Sequence, residues 1–171
     1  MSFKPVILVL LASGLHAQAP AQVPGTPLDS LKFLEGTWEA KTPGGPAGPA
    51  VTGTYVFRQE LAGHILARHS SSDSCKGPAD FDCDHHDLLY VYPEGQSLKA
   101  IYFDGEGHVI HYEVSTPTPT TVVFLSSGSQ PGPRFRLTYE RKEAAMAGKF
   151  QMLMPGQTEW RSYLEWSGPK K

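Results

Sequence analysis

From position 36 to the end of the chain, the apolar residues recur with a period of two. Phe135, Leu137 and Tyr139 fall on one side of an extended backbone, while Arg134, Arg136 and Glu140 fall on the other. Phe150, Met152 and Met154 oppose Lys149 and Gln151 in the same way, and Trp160, Leu164 and Trp166 oppose Arg161 and Glu165. Successive side chains of a strand point to opposite faces, so each of these runs has one apolar and one wetted face. Runs of this kind, rich in β-branched and aromatic residues, occupy 36–40, 51–60, 64–70, 87–92, 98–104, 109–115, 121–126, 134–141, 146–154 and 160–166. Between them stand Pro-Gly-Gly-Pro from Pro43, Pro-Glu-Gly from Pro93, Asp-Gly-Glu-Gly from Asp104, Pro-Gly-Pro from Pro131 and Pro-Gly from Pro155, all turn chemistry. The pattern predicts an all-β chain, an up-and-down antiparallel β-barrel of about ten strands, because closing a long meander removes its exposed edges.

One short helix precedes the strands. Thr26 is placed to cap it, Pro27 suits its first position, and Leu28, Leu31 and Leu34 share one face until Gly36 stops it. A second helical turn is expected only near 141–145. Before position 28 the chain does not read as a core. Residues 1–17 have one cation, an apolar run from Val6 to Leu11 and small residues up to Ala17, the layout of a secretory signal peptide. The run is too short to span a bilayer, and no cysteine follows that would take a lipid anchor. Residues 18–27, rich in Pro, Ala, Gln and Gly, read as a disordered leader, and 28–171 as the barrel domain. The expected location is therefore secreted or periplasmic, with no integral membrane span once the signal is removed.

Charge excludes some partners. The chain has 15 Lys and Arg against 17 Asp and Glu, and the cations are scattered, so nucleic acid is not expected as a ligand. No protein partner and no cofactor is expected either. The only two cysteines, Cys75 and Cys83, lie close together in a chain bound for an oxidising compartment, which favours a local disulfide.

The short helix leading through Leu-Glu into Gly36-Thr37-Trp38, followed by a β-meander, resembles the calycin barrels, the group of the lipocalins and fatty-acid-binding proteins. The resemblance implies that Gly36 and Trp38 open the first strand and that a cation from the last strand covers the indole, a role for which Arg161 is the best placed. A wider set of stretches, "LKFLEGTWEA", "HHDLLYVYPEG", "LKAIYFDGEGHVIHYEVS", "PGPRFRLTYE" and "YLEW", resembles a set of exported bacterial proteins of unknown function. In the related haem-holding barrels a histidine near the chain end binds the iron. Residues 159–171 contain none.

Polar constellations are few. In "CDHHDLLYVY" the two imidazoles point to opposite faces of an extended chain, so His85 aligns with Cys83 and Asp87, and His86 with Asp84. A zinc ion could take the first trio only if Cys83 stayed reduced. Otherwise His85 and His86 line the barrel entrance and meet a polar ligand head. In "GHILARHS" either Arg68 or His69 points inward, and an inward Arg would hold a carboxylate as the fatty-acid-binding relatives do. In "GHVIHYEV", Ile110 and Tyr112 look inward and His111 and Glu113 outward. Asp104 to Gly107 reads as a hairpin turn.

Motifs for nucleophilic, metal-hydrolytic or phosphate chemistry do not occur in the sequence. The expected function is the binding of a small apolar or amphipathic molecule among Tyr55, Phe57, Tyr102, Tyr139, Phe150 and Met152, with Arg68 or His69 at its polar end. Two other readings stay open. One is a metal-assisted hydrolase or isomerase at the mouth, using the segment from Cys83 to Asp87. The other is a structural envelope protein with a solid barrel.

Overall fold

The computed structural model describes residues 25–44, 50–79, 83–128 and 132–171. The expected signal peptide and nearly all of the leader lie outside them. Ten strands form one closed antiparallel barrel: β1 (Gly36–Lys41), β2 (Thr52–Glu60), β3 (Ile65–Lys76), β4 (Asp87–Glu94), β5 (Ser97–Asp104), β6 (Val109–Thr118), β7 (Thr121–Ser126), β8 (Arg134–Lys142), β9 (Ala145–Leu153) and β10 (Arg161–Pro169). Every strand pairs with its sequence neighbours, and β10 returns to β1. Among the described residues no helix is long and apolar enough to cross a membrane.

The helix before β1 is a 3-10 helix, Pro27–Leu34. The leucine spacing explains this. Leu28, Leu31 and Leu34 are three apart, so a helix of three residues per turn sets all three on one line, where an α-helix would spread them. All three are buried, and the helix packs on β4, β5 and β8, closing one end of the barrel. Thr26 contributes through its backbone carbonyl, which accepts from Asp29 N–H at 2.9 Å, and its side chain makes no cap. Residues 141–145, expected to be helical, instead end β8, turn and begin β9: Lys142 pairs with Ala145 across a two-residue link in which Glu143 takes a φ of 53°. The short link and the ladder on either side decide this over local helix preference.

Closure rests on few contacts. Lys41 pairs with Ser167, Trp38 bridges to Lys170, and Lys171 N–H donates to the Thr37 carbonyl at 2.9 Å. Trp38 is buried and its indole N–H donates to the Leu34 carbonyl at 2.7 Å, tying the helix to β1. The cation over its ring is Lys170, with Nζ 5.5 Å from the ring centroid. This corrects the expectation for Arg161, which is exposed and opens β10 at the opposite end, paired with Met152. Gly36 serves the same contact. It has a φ of +122°, and a Cβ there would lie 2.2 Å from Lys170 Cε. Gly168 has a comparable duty at the seam, since a Cβ on it would meet the Glu39 carbonyl oxygen at 2.4 Å.

These distances predict that Gly168→Ala, which must push β10 off the β1 backbone, lowers stability by about 1–3 kcal/mol. Gly53→Ala on β2 has nothing among the described residues within 4 Å of the new atom and should stay within about 0.5 kcal/mol. Urea unfolding of the two variants, followed by tryptophan fluorescence, measures both.

Candidate functional site

Cross-strand partners share a face, so the register identifies the interior. Phe57 pairs with Arg68, Arg68 with Leu89, Leu89 with Tyr102 and Tyr102 with Ile110. This row continues an apolar lining, which places Arg68 inside the barrel and His69 outside. His69 Nε2 lies 3.0 Å from Glu60 Oε1, and its ring meets Tyr90 edge-on. Of the two residues left open by the sequence, the structure turns Arg68 inward.

Arg68 is only 6 % exposed, and it is the sole cation among the buried residues described. It forms an ion pair with Asp87 of β4, and its Nη1 donates to the Tyr139 hydroxyl at 2.5 Å. Asp87 is held from both sides of its peptide by Ser70: its N–H donates to Ser70 Oγ at 2.9 Å, and that hydroxyl reaches the Asp87 carbonyl at 3.4 Å. Two charges taken out of water cost several kcal/mol each, and only good mutual geometry offsets this. One donor is left over. Arg68 Nε is buried with no hydrogen-bond partner among the described residues.

Tyrosines surround the guanidinium. Burial pushes the hydroxyls of Tyr55, Tyr102, Tyr112 and Tyr139 above the ordinary tyrosine range, while the charge of Arg68 works the other way on all four. All four therefore keep their protons and can donate. Tyr55, Phe57, Tyr139 and Trp166 also pack as an aromatic cluster, with Tyr139 edge-on to Phe57 and Trp166 and tilted against Tyr55 at centroid distances of 5.2 to 5.8 Å. Trp166 finds room because Gly148 lies opposite it, where a Cβ would fall 2.1 Å from the indole.

Burial changes along the barrel axis. Toward the helix end the inward residues Leu66, Val91, Val122 and Met146 are fully buried, and the interior there is solid. Toward the loop end Tyr102, Ile110, Phe135, Phe150 and Met152 are only half-buried. Phe135 and Phe150 stack at 5.7 Å with rings 9° apart. The expected binding residues thus divide. Tyr55, Phe57 and Tyr139 belong to the packed middle, whereas Tyr102, Phe150 and Met152 lie above Arg68 on the more accessible side. An external concavity of about 590 Å³ between Asp29, Lys32, Phe33 and residues 116–119 lies at the helix end and shares none of these residues.

The segment from Cys83 to Asp87 is divided among other partners. Cys83 is bonded to Cys75, with Cα atoms 5.5 Å apart, so its sulfur offers no thiolate. Asp87 belongs to Arg68. His85 is half-buried, with Nε2 3.4 Å from the Tyr102 hydroxyl and Nδ1 3.9 Å from Glu106. His86 is exposed, and its carbonyl accepts from Gly105 N–H at 3.0 Å, joining this loop to the β5–β6 turn.

That turn contains Asp104, Glu106 and His108, whose ligand atoms lie within 4.8 Å of one another. Asp104 is engaged inside the turn. Its Oδ1 accepts from the backbone N–H of Glu106 and of His108, and its Oδ2 meets His108 Nδ1 at 2.9 Å. Burial works to raise the Asp104 carboxyl, but the His108 N–H and ring and the Glu106 N–H outweigh it and hold the group below the ordinary carboxylate range. Outside the barrel His111 and Glu113 are exposed as expected, with Glu113 paired to Lys99.

Sequence reasoning turned Tyr112 inward and set Trp166 on the apolar face of its strand, as the structure has them, but it did not single out Asp104 for the interior, and it placed Asp87 at the rim. The parity of β4 carried the signal for Asp87, since Asp87, Leu89 and Val91 share a face. No protein-family model matches the chain, and no curated protein matches it.

The ion pair generates a thermodynamic expectation. Asp87→Ala leaves Arg68 buried without its counter-charge and should cost about 3–5 kcal/mol, whereas the double change Arg68→Met with Asp87→Leu should cost much less. Denaturant midpoints of the three proteins measure the difference.

Proposed function

We propose that this protein is a small-molecule-binding barrel whose ligand enters from the loop end and sets its polar group against Arg68. The observation that carries this reading is the unpartnered Nε of a buried guanidinium beneath inward side chains that remain half-exposed. A buried donor left unmade costs about 1–3 kcal/mol, which a ligand acceptor would recover. Burial of apolar ligand surface against Ile110, Phe135, Phe150 and Met152 would add roughly 25 cal/mol per Å². Tyr102 and His85, adjacent at the same end, are placed to orient the polar group.

The same reading takes the chain as an exported protein of calycin type. A closed meander, a short helix before it, Gly36 and Trp38 at the first strand and a cation over the indole support the kinship. The leader-like residues 1–17 and the Cys75–Cys83 disulfide support export. The reading names no reaction.

Titration with Nile red, a neutral lipophilic fluorophore, tests the proposal. Saturable binding at one molecule per barrel is expected. Ile110→Trp, which fills the accessible part of the interior, should weaken it about tenfold or more, while Ile101→Trp on the outer face of β5 should leave it unchanged. Unsaturable binding, or equal loss in both variants, would count against an interior site.

A further inference from the structure

We propose that the group taken up at Arg68 is an uncharged hydrogen-bond acceptor, such as a ketone, ester or amide carbonyl, and not a carboxylate. This rests on the ligand-binding reading above and narrows it to one chemical class.

Charge and hydrogen-bond donors inside the barrel select the class. A carboxylate is held in an apolar interior when a cation there has charge to spare. Arg68 has none to spare, because Asp87 already neutralises it. Asp87 is moreover the direct cross-strand partner of Asp104, whose side chain is 5 % exposed. The wall beside Arg68 thus holds two carboxylates, and His108, the group that answers Asp104, is exposed outside the lumen. A ligand carboxylate would be the third anion in one low-dielectric space, and like charges so placed repel by several kcal/mol. Of the other cations near this end, Arg161 pairs with Met152 but is exposed to water at the rim, away from Arg68, and Arg134 and Arg136 lie against Trp160.

What the interior offers in excess is donors. Arg68 Nε–H has no partner among the described residues. The Tyr139 hydroxyl accepts from Arg68 and keeps its own proton to give. Trp166 lies beside Tyr55 with its indole N–H toward the Tyr55 hydroxyl, and that hydroxyl keeps its own proton to give. An uncharged carbonyl oxygen has two lone pairs and brings no charge. It fits a site with spare donors and no positive charge to spare, whereas an ammonium, which has only donors, would leave those donors unanswered.

The test compares a long-chain methyl ketone with the fatty acid of the same carbon number, at neutral pH where the acid is ionised, each displacing Nile red from the unsubstituted protein. The ketone should bind at least about tenfold more tightly. In Asp87→Asn, which removes one anion and keeps the shape, the ratio should move about tenfold toward the acid. The native comparison decides the matter even if that variant does not fold. Equal or tighter binding of the fatty acid would overturn the inference while leaving the binding site standing. Failure of both to displace bound Nile red would also overturn it. Failure of Nile red itself to bind would remove the site and the inference together.

Discussion

Closure of β10 onto β1 is the constraint on which the rest of the structure depends. Once the meander closes, every second residue of ten strands faces a single interior, and that interior must be filled, plugged or left accessible. The seam is narrow: a pair of residues in β-register, one bridge and the chain end. Gly36 and Gly168 matter because they let Lys170 and the β10 backbone come near enough to make it. Trp38 joins three parts of the molecule at this point, with its ring inside, its N–H on the helix and Lys170 over its face.

Filling then proceeds in layers. Three leucines of the 3-10 helix and the fully buried aliphatic residues close one end. A cluster of Tyr55, Phe57, Tyr139 and Trp166 fills the middle. Above it stands a guanidinium that has no business in an apolar core unless something compensates it, and Asp87 and Tyr139 do so only in part. Buried ion pairs are weak contributors to stability compared with packed apolar groups. In the proposed function, the pair and the unsatisfied donor beside it serve recognition and not folding.

Much of the architecture was legible because a period of two is a direct record of which side each residue faces. The strand number, the up-and-down order and the inward set Phe135, Leu137 and Tyr139 all followed from it, and the two cysteines announced their bond. Parity failed where the ladder is irregular. The register of β10 shifts between Ser162 and Leu164, and the strand runs on to Pro169, so the cation reaching Trp38 comes from beyond the last apolar alternation. Local propensity failed at 141–145, where a hairpin link overrode helix-favouring residues. The candidate site was half legible. Arg68 and the upper aromatic residues stand out in the sequence, but parity alone could not choose between Arg68 and His69, and the pairing of Asp87 with Arg68 depends on the β3–β4 register, which the sequence does not set.

The most direct test of the account is NMR observation of the Arg68 Nε–H resonance while the folded protein is titrated with a long-chain methyl ketone. The account predicts that this proton shifts, exchanges more slowly with water and saturates at one ligand per barrel as it gains an acceptor. An Arg68 signal unmoved while ligand binds, with the changes confined to residues on the outer face, would contradict it.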